Sequence, residues 1–351
     1  MNILDYDTVT LDDADSALVI IDQTKLPNKL EILHLHAQKE IWDAIYLLQV
    51  RGAPAIGVAA GYGAYLAAKA IDTEDYAVFE QEFTKAADYL NSSRPTAVNL
   101  SWALRRMKDV IIAGRGGAVA EAKQALLAEA KEIQQEDIDT CKRIGELGLS
   151  LVKPGDGILT HCNAGQLATS RYGTATAPMY LGHQQGYHFR IYCDETRPLL
   201  QGARLTSYEL SSAGLDVTVL CDSMAASLMK QGKIQAVFTG CDRVAANGDA
   251  ANKIGTMPLA IVAKHFGVPF YICAPSSTID MASQTGRDIK IEQRPAEEVT
   301  EMWYKERMAP KDIKVFNPAF DVTDAELITA IVTEKGILRA PYTESIKAIF
   351  K

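Results

Sequence analysis

The sequence predicts an α/β chain in two parts. A small N-terminal domain of antiparallel strands plus helices takes residues 1–145, and a Rossmann-like parallel-sheet domain takes residues 146–351. Three observations carry this. The chain has 351 residues, long for one core and comfortable for two. Its texture changes near residue 150, from helical periodicity to short apolar strands. In the second half a cysteine marks each of five strand ends, at spacings of 31, 28, 20 and 32 residues, close to the length of a βα unit.

The elements follow in order. Leu18–Asp22 and Leu30–His36 alternate or run apolar on either side of Pro27-Asn28, and so read as paired strands with a turn between them. From Ala37 the pattern turns helical. Ala64–Ala70, the stretch through the 80s and Leu100–Ile112 are rich in Ala, Leu and Lys. Gly114–Gly117 is a flexible break. A long helix is expected from Val119 to about Val152, with Leu126, Ala130, Ile133, Cys141, Ile144, Leu147 and Leu151 near the 3.6 period, stopped by Pro154-Gly155. Five strands come next: Ile158–Cys162, Phe189–Asp194, Val217–Asp222, Ala236–Asp242 and Phe270–Cys273. Helical stretches at Gly202–Ser212, Met224–Gln231 and Met257–Phe266 lie between them. Such alternation predicts a parallel sheet with helices on both faces.

Composition narrows the function. A net charge of −8 gives no global attraction for nucleic acid or an anionic membrane, so neither is an expected partner. No apolar run approaches bilayer length, and the acidic start lacks a secretory pattern. The six cysteines are too sparse for a disulfide scaffold. Reduced thiols in a cytoplasmic protein are expected. The cysteine and histidine spacings match no metal motif. His34 and His36 share one strand face and read as surface or packing.

Ligands of an open parallel sheet bind beyond the carboxyl ends of its strands. Cys162 is the first candidate there. Asn163-Ala-Gly165 follows it as a turn expected to open a helix, whose N–H groups would lower a thiol's pKa. Cys193, Cys221, Cys241 and Cys273 read as packing. A Cys162–His161 dyad is not expected, since neighbouring strand residues face opposite ways. Asp242 is the second candidate, in an expected apolar strand-end setting. The segment from Asn247 to Gly255 after it is either a polar ligand loop or a plain Asx-rich turn. In the first half, Arg51-Gly52-Ala53-Pro54 and Arg94-Pro95-Thr96 both precede helices, as a phosphate site or as ordinary helix entries.

Taken together, the ordered segments resemble methylthioribose-1-phosphate isomerase. They are Val50–Gly57, Arg94–Leu100, Leu159–Gly165, Asp194–Thr206, Gly240–Asp249, Asn252-Lys253 and Asn317–Val322. The resemblance implies a homodimer of methionine salvage that turns 5-methylthioribose 1-phosphate into 5-methylthioribulose 1-phosphate without metal or redox cofactor. It implies that Arg51, Gly52, Ala53, Arg94, Gln201, Asn252 and Lys253 bind substrate, with Asp242 as catalytic acid and Cys162 as the second catalytic residue. Because phosphate occupies the anomeric carbon, no free aldehyde is available. The ring oxygen must leave C1 while hydrogen moves from C2 to C1, either as a proton through Cys162 or as hydride. The same fold resembles the regulatory subunits of initiation factor 2B, so a non-catalytic, ligand-sensing subunit is the reading of another class. Ser170-Arg171 and Tyr208 depart from the isomerase pattern and leave 5-deoxyribose 1-phosphate or ribose 1,5-bisphosphate as alternative substrates. Arg171 is either a cation near the 5-position or a surface ion pair.

Overall fold

The computed structural model describes residues 2–95 and 97–350, and the elements counted below are those of these residues. Thr96 of the Arg94 motif lies outside them. The chain divides into two compact units, one holding Leu4–Asp139 with Gln166–Gly173, the other holding Thr140–Gly165 and the chain beyond Thr174.

The first unit begins with an antiparallel sheet of β1 (Val9–Asp12), β2 (Ala17–Ile21) and β3 (Ile32–Leu35). The sequence reading missed β1, whose four residues carry little apolar contrast beside their acidic neighbours. Five helices follow: α1 (Gln38–Tyr46), α2 (Ala53–Ala70), α3 (Tyr76–Asn91), α4 (Val98–Ala113) and α5 (Val119–Leu149). Glu40 accepts from the N–H groups of His36 and Ala37 at 2.9 Å each and so starts α1. Asp75 does the same for α3, accepting from Ala77 at 2.8 Å and Val78 at 3.2 Å. Helix α2 is buried on nearly every face. Its small residues permit this: Gly57 lies against the Asn99 carbonyl of α4, and Gly61 against Ile133 of α5.

The second unit is built on β4 (Gly157–His161), β5 (Arg190–Asp194), β6 (Asp216–Leu220), β7 (Ala236–Thr239), β10 (Phe270–Cys273), β13 (Ala330–Thr333) and β14 (Gly336–Leu338), in the order β14-β13-β10-β7-β4-β5-β6. Every pair is parallel except the β13–β14 edge. Strand β4 is buried along its whole length, as a central parallel strand must be. Its covering helices include α6 (Ala177–Gln184), α7 (Ser207–Ser212), α8 (Ala225–Lys230) and α9 (Thr256–Phe266). The last residues of α5 pack here too, where Gly148 meets Pro178 and Phe238. Short helices α10 (Glu297–Thr300) and α11 (Tyr342–Ala348) lie near the end of the chain.

A third sheet, β11-β8-β9-β12, joins β8 (Arg243–Ala245), β9 (Ala250–Lys253), β11 (Ile279–Asp280) and β12 (Phe320–Thr323). The segment after Asp242, expected as a loop or turn, is thus a β-hairpin. Its tip is an Asx turn in which Asp249 N–H donates to Asn247 Oδ1 at 3.0 Å. The α/β class, with a small antiparallel sheet and a larger, mostly parallel one, is as the sequence predicts. No helix among the described residues is long and apolar enough to cross a membrane.

Candidate active site

The strand order locates the site. From β4 the chain adds β5 and then β6 on one side, and later β7, β10 and β13 on the other. The topological switch point therefore falls between β4 and β7, where open α/β sheets leave a crevice at the carboxyl ends. His161 pairs in register with Thr239 there. Cys162 leaves β4 on one side of the crevice, and Asp242 follows β7 on the other.

Cys162 is buried and sits at φ +64°. Left-handed backbone costs a residue with a Cβ about 1–2 kcal/mol, so its surroundings must enforce it. They do so from both ends of the peptide. Its N–H donates to Thr196 Oγ1 at 2.8 Å, and its carbonyl accepts from Thr206 Oγ1 at 2.6 Å. Thr206 also accepts from Asn163 Nδ2 at 3.1 Å. Thr196 and Leu200 are left-handed as well, at φ +64° and +57°. Thr206 closes a π-helical turn, Gly202–Thr206, of the kind found at functional sites.

The helix expected directly after Cys162 is not there. A single 3-10 turn, Gln166–Ala168, belongs to the other unit, and α6 begins only at Ala177. The chain instead wraps the Ala164 carbonyl, which accepts from Thr174 N–H at 2.9 Å and Ala175 N–H at 3.1 Å. A Cβ on Gly165 would lie 1.6 Å from Glu209 Oε1, so that buried carboxylate packs directly on the Gly165 backbone, where only glycine fits.

Asp242 is exposed, not in the apolar setting expected of it. Strand β7 ends at Thr239, and Gly240-Cys241 swing the chain out into β8. Asp242 N–H is held by the Ala251 carbonyl at 2.9 Å, which ties it to the strand carrying Asn252 and Lys253. Asn252 is buried and donates to Thr256 Oγ1 at 3.0 Å. Lys253 Nζ lies 4.5 Å from the Phe320 ring centroid. Gln201 is buried, and its Oε1 has no hydrogen-bond partner among the described residues.

The turn after Lys253 is fixed by two groups that received no role from the sequence. Asp321 accepts from Gly255 N–H at 2.8 Å and Met257 N–H at 3.1 Å, capping α9 from another strand. Asp321→Ala should cost about 1–2 kcal/mol, seen as a lower thermal midpoint. His161 is fully buried, its Nε2 2.9 Å from the Ile254 carbonyl and its Nδ1 3.1 Å from Asp194 Oδ2. With Asp194 ionised, its carboxyl pKa raised by burial to about 6, both nitrogens face acceptors, which suits an imidazolium ring. Burial pushes its pKa down. The hydrogen bond and charge of Asp194, the charge of Asp222 and the Ile254 carbonyl outweigh that and hold it above the usual imidazole value. Thr196, Thr206 and Asp321 all lie inside the quoted motifs, which was the available signal.

Of the other cysteines, Cys193 and Cys273 are buried, with burial the leading cause of thiol pKa values well above the usual range. Cys241 donates to the Arg243 carbonyl at 3.0 Å. Cys221 is exposed, contrary to the packing role expected of it, because β6 is an edge strand.

In the first unit, Gly52 caps α2 at φ +90°. A Cβ there would lie 2.4 Å from the Ala168 backbone, so the position demands glycine twice over. Ala53 opens the helix, and no side chain caps its first turn. Gly57, one turn on, touches Asn99 in the first turn of α4. The Arg51 and Arg94 segments therefore precede neighbouring helix starts, and both arginines are half-buried. Arg171 forms an ion pair with Asp7.

Residues 49–340 match the sequence pattern of the initiation factor 2 subunit family. The chain belongs to that family. Within the initiation factor 2 subunit family, a Symbiobacterium thermophilum protein named methylthioribose-1-phosphate isomerase is 61% identical over 343 residues, 98% of this chain and 96% of that one. A Petrotoga mobilis protein named 5-deoxyribose 1-phosphate isomerase is 57% identical, covering 98% of this chain and 99% of its own length. The crystal structure of 5-methylthioribose 1-phosphate isomerase from Pyrococcus horikoshii superposes with a TM-score of 0.94 at 41% identity, covering 98% of this chain and 96% of that one. The resemblance read from the motifs therefore holds along nearly the whole sequence.

Proposed function

We propose that this protein is an aldose–ketose isomerase converting 5-methylthio-D-ribose 1-phosphate to 5-methylthio-D-ribulose 1-phosphate. The carrying observation is that Cys162 and Asp242 flank the switch point of the parallel sheet. The Symbiobacterium relative's name supports the substrate. Asp242 protonates the ring oxygen as its bond to C1 breaks. Cys162, as thiolate, takes the C2 proton, and its thiol, open to exchange with solvent, returns a proton to C1. Asp242 takes the proton from O2, so the ketose forms and both groups end as they began. Gln201 Oε1, buried and without a partner among the described residues, suits a sugar hydroxyl, with Asn252 and Lys253 as further substrate-binding groups. Arg51, Gly52, Ala53 and Arg94 hold the phosphate, with the first turn of α2 offering its N–H groups. The exposed apolar side chains Met302, Trp303, Tyr304, Met308, Ile313 and Phe316 support a partner surface for a homodimer.

The test compares kcat/KM for 5-methylthio, 5-deoxy and 5-phospho ribose 1-phosphates. The 5-methylthio compound should lead, by about 10- to 200-fold over the substrate lacking the methylthio group. Equal or better use of the 5-deoxy compound would favour the reading carried by the Petrotoga relative. In heavy water, the product should carry deuterium at C1. Full retention of the C2 hydrogen would favour direct hydride transfer over the role given to Cys162.

A further inference from the structure

Cys162 and Lys253 come from different strands and different sheets, yet the proposed reaction needs them at a fixed separation. The structure holds a connection between them. The His161 ring bonds the Ile254 carbonyl, the peptide directly after Lys253. Gly255, next along, sits at φ +101°, and a Cβ there would lie 2.8 Å from His161 Cε1. The turn is thus pressed onto the ring so closely that only glycine fits. Asp321 and the Ala319 carbonyl, which accepts from Ile254 N–H at 3.1 Å, hold the turn from its other side.

Asp194 connects to both ends. Its side chain faces His161 Nδ1. Its carbonyl accepts from Thr196 Oγ1 at 3.0 Å, and the same hydroxyl accepts from Cys162 N–H. One residue of β5 therefore sets the ring that carries the Lys253 turn and the hydroxyl that carries the Cys162 peptide.

We propose that His161, held by Asp194, is a positioning residue that sets the Asn252–Lys253 segment relative to the Cys162 thiol. A purely stabilising role explains the pair poorly. A buried ion pair contributes little more to stability than an apolar pair of the same size. The inference rests on the isomerase reading, and its test separates the two. Asp194, Asp222 and Asp321 are the charged groups that act on the ring.

Three variants and two readouts decide it. His161→Leu removes both ring bonds and should raise KM and lower kcat, together costing about 10- to 100-fold in kcat/KM. His161→Gln keeps an N–H donor for the Ile254 carbonyl and should recover a large part of the KM loss. Asp194→Asn lets a neutral ring keep both bonds, with the new amide donating to Nδ1. It should work near normally in mild alkali, where the ring is neutral, and lose activity on acidification as the unpaired ring protonates. The parent's acid limb should instead follow Asp194, whose carboxyl burial pushes up to about 6. The second readout, the calorimetric Kd for ribose 1-phosphate, needs no turnover and should weaken in His161→Leu. Lower thermal midpoints with kcat, KM and Kd unchanged in the folded variants would overturn the inference. If His161→Leu does not fold, His161→Gln and Asp194→Asn decide it by the same measures. A parent protein that turned over no pentose 1-phosphate would sink the isomerase reading alone, with Kd still deciding the positioning role.

Discussion

Asp242→Asn should leave a protein that folds, binds the sugar phosphate and turns it over about 10²- to 10⁴-fold more slowly, the usual share of a positioned acid or base. The structure makes this a clean test. The side chain is exposed. The main-chain N–H that ties the residue to Ala251 is untouched by the change. Stability should stay within about 0.5 kcal/mol, so lost turnover can be charged to chemistry. Cys162→Ala should behave alike in kcat. It keeps the backbone clamps from Thr196 and Thr206 and deletes only the thiol. Stopped assays of kcat beside thermal melts give both halves of the result. A kcat within about tenfold of the parent in either variant would remove that residue from the reaction.

Gly202→Ala should be the most damaging change at the site for folding. A Cβ would stand 1.7 Å from the Asp194 carbonyl oxygen and 2.8 Å from Thr196 Oγ1. The nearer of these is backbone in a central strand and cannot swing away. Relief must come from the π turn, which would carry Gln201 and Thr206 off β5. Overpacking of this kind costs about 3 kcal/mol or more. Losing the Thr206 bond would also free the Cys162 carbonyl to relax from its left-handed form. A large fall in thermal midpoint with reduced kcat in the surviving folded protein is expected. A midpoint within a degree or two of the parent, roughly what a change below 1 kcal/mol gives, would show that the turn yields more easily than this geometry allows.

The legible parts of the fold were those with local signals. Five parallel strands announce themselves as apolar runs, the exposed edge strand β6 among them, and α5 ends at Leu149, a few residues short of the expected Val152 and Pro154-Gly155. Hairpin β8–β9 did not, because its strands are three and four residues of small or polar character around Asn247-Gly248-Asp249. Its partner β12 lies about seventy residues on, beyond the reach of any period. For the same reason β12, β13 and β14 went unseen. The candidate residues at strand ends were legible from residue type and motif. The groups that hold them were not. That Thr196 and Thr206 grip one residue from both ends, or that Glu209 packs on Gly165, depends on distances between segments dozens of residues apart. The exposure of Asp242 was misjudged because Gly240-Cys241 looks like strand and acts as a bend.

The left-handed backbone at Cys162, Thr196 and Leu200 has a bearing on descent. Each is a conformation that glycine or asparagine would adopt at lower cost. If Cys162 acts as proposed, a lineage under selection for isomerisation must carry that burden there. One released from it can drift to a more comfortable residue there and gain stability in the same step. Loss of chemistry on this scaffold is therefore favoured by folding itself, whereas regaining it requires climbing back.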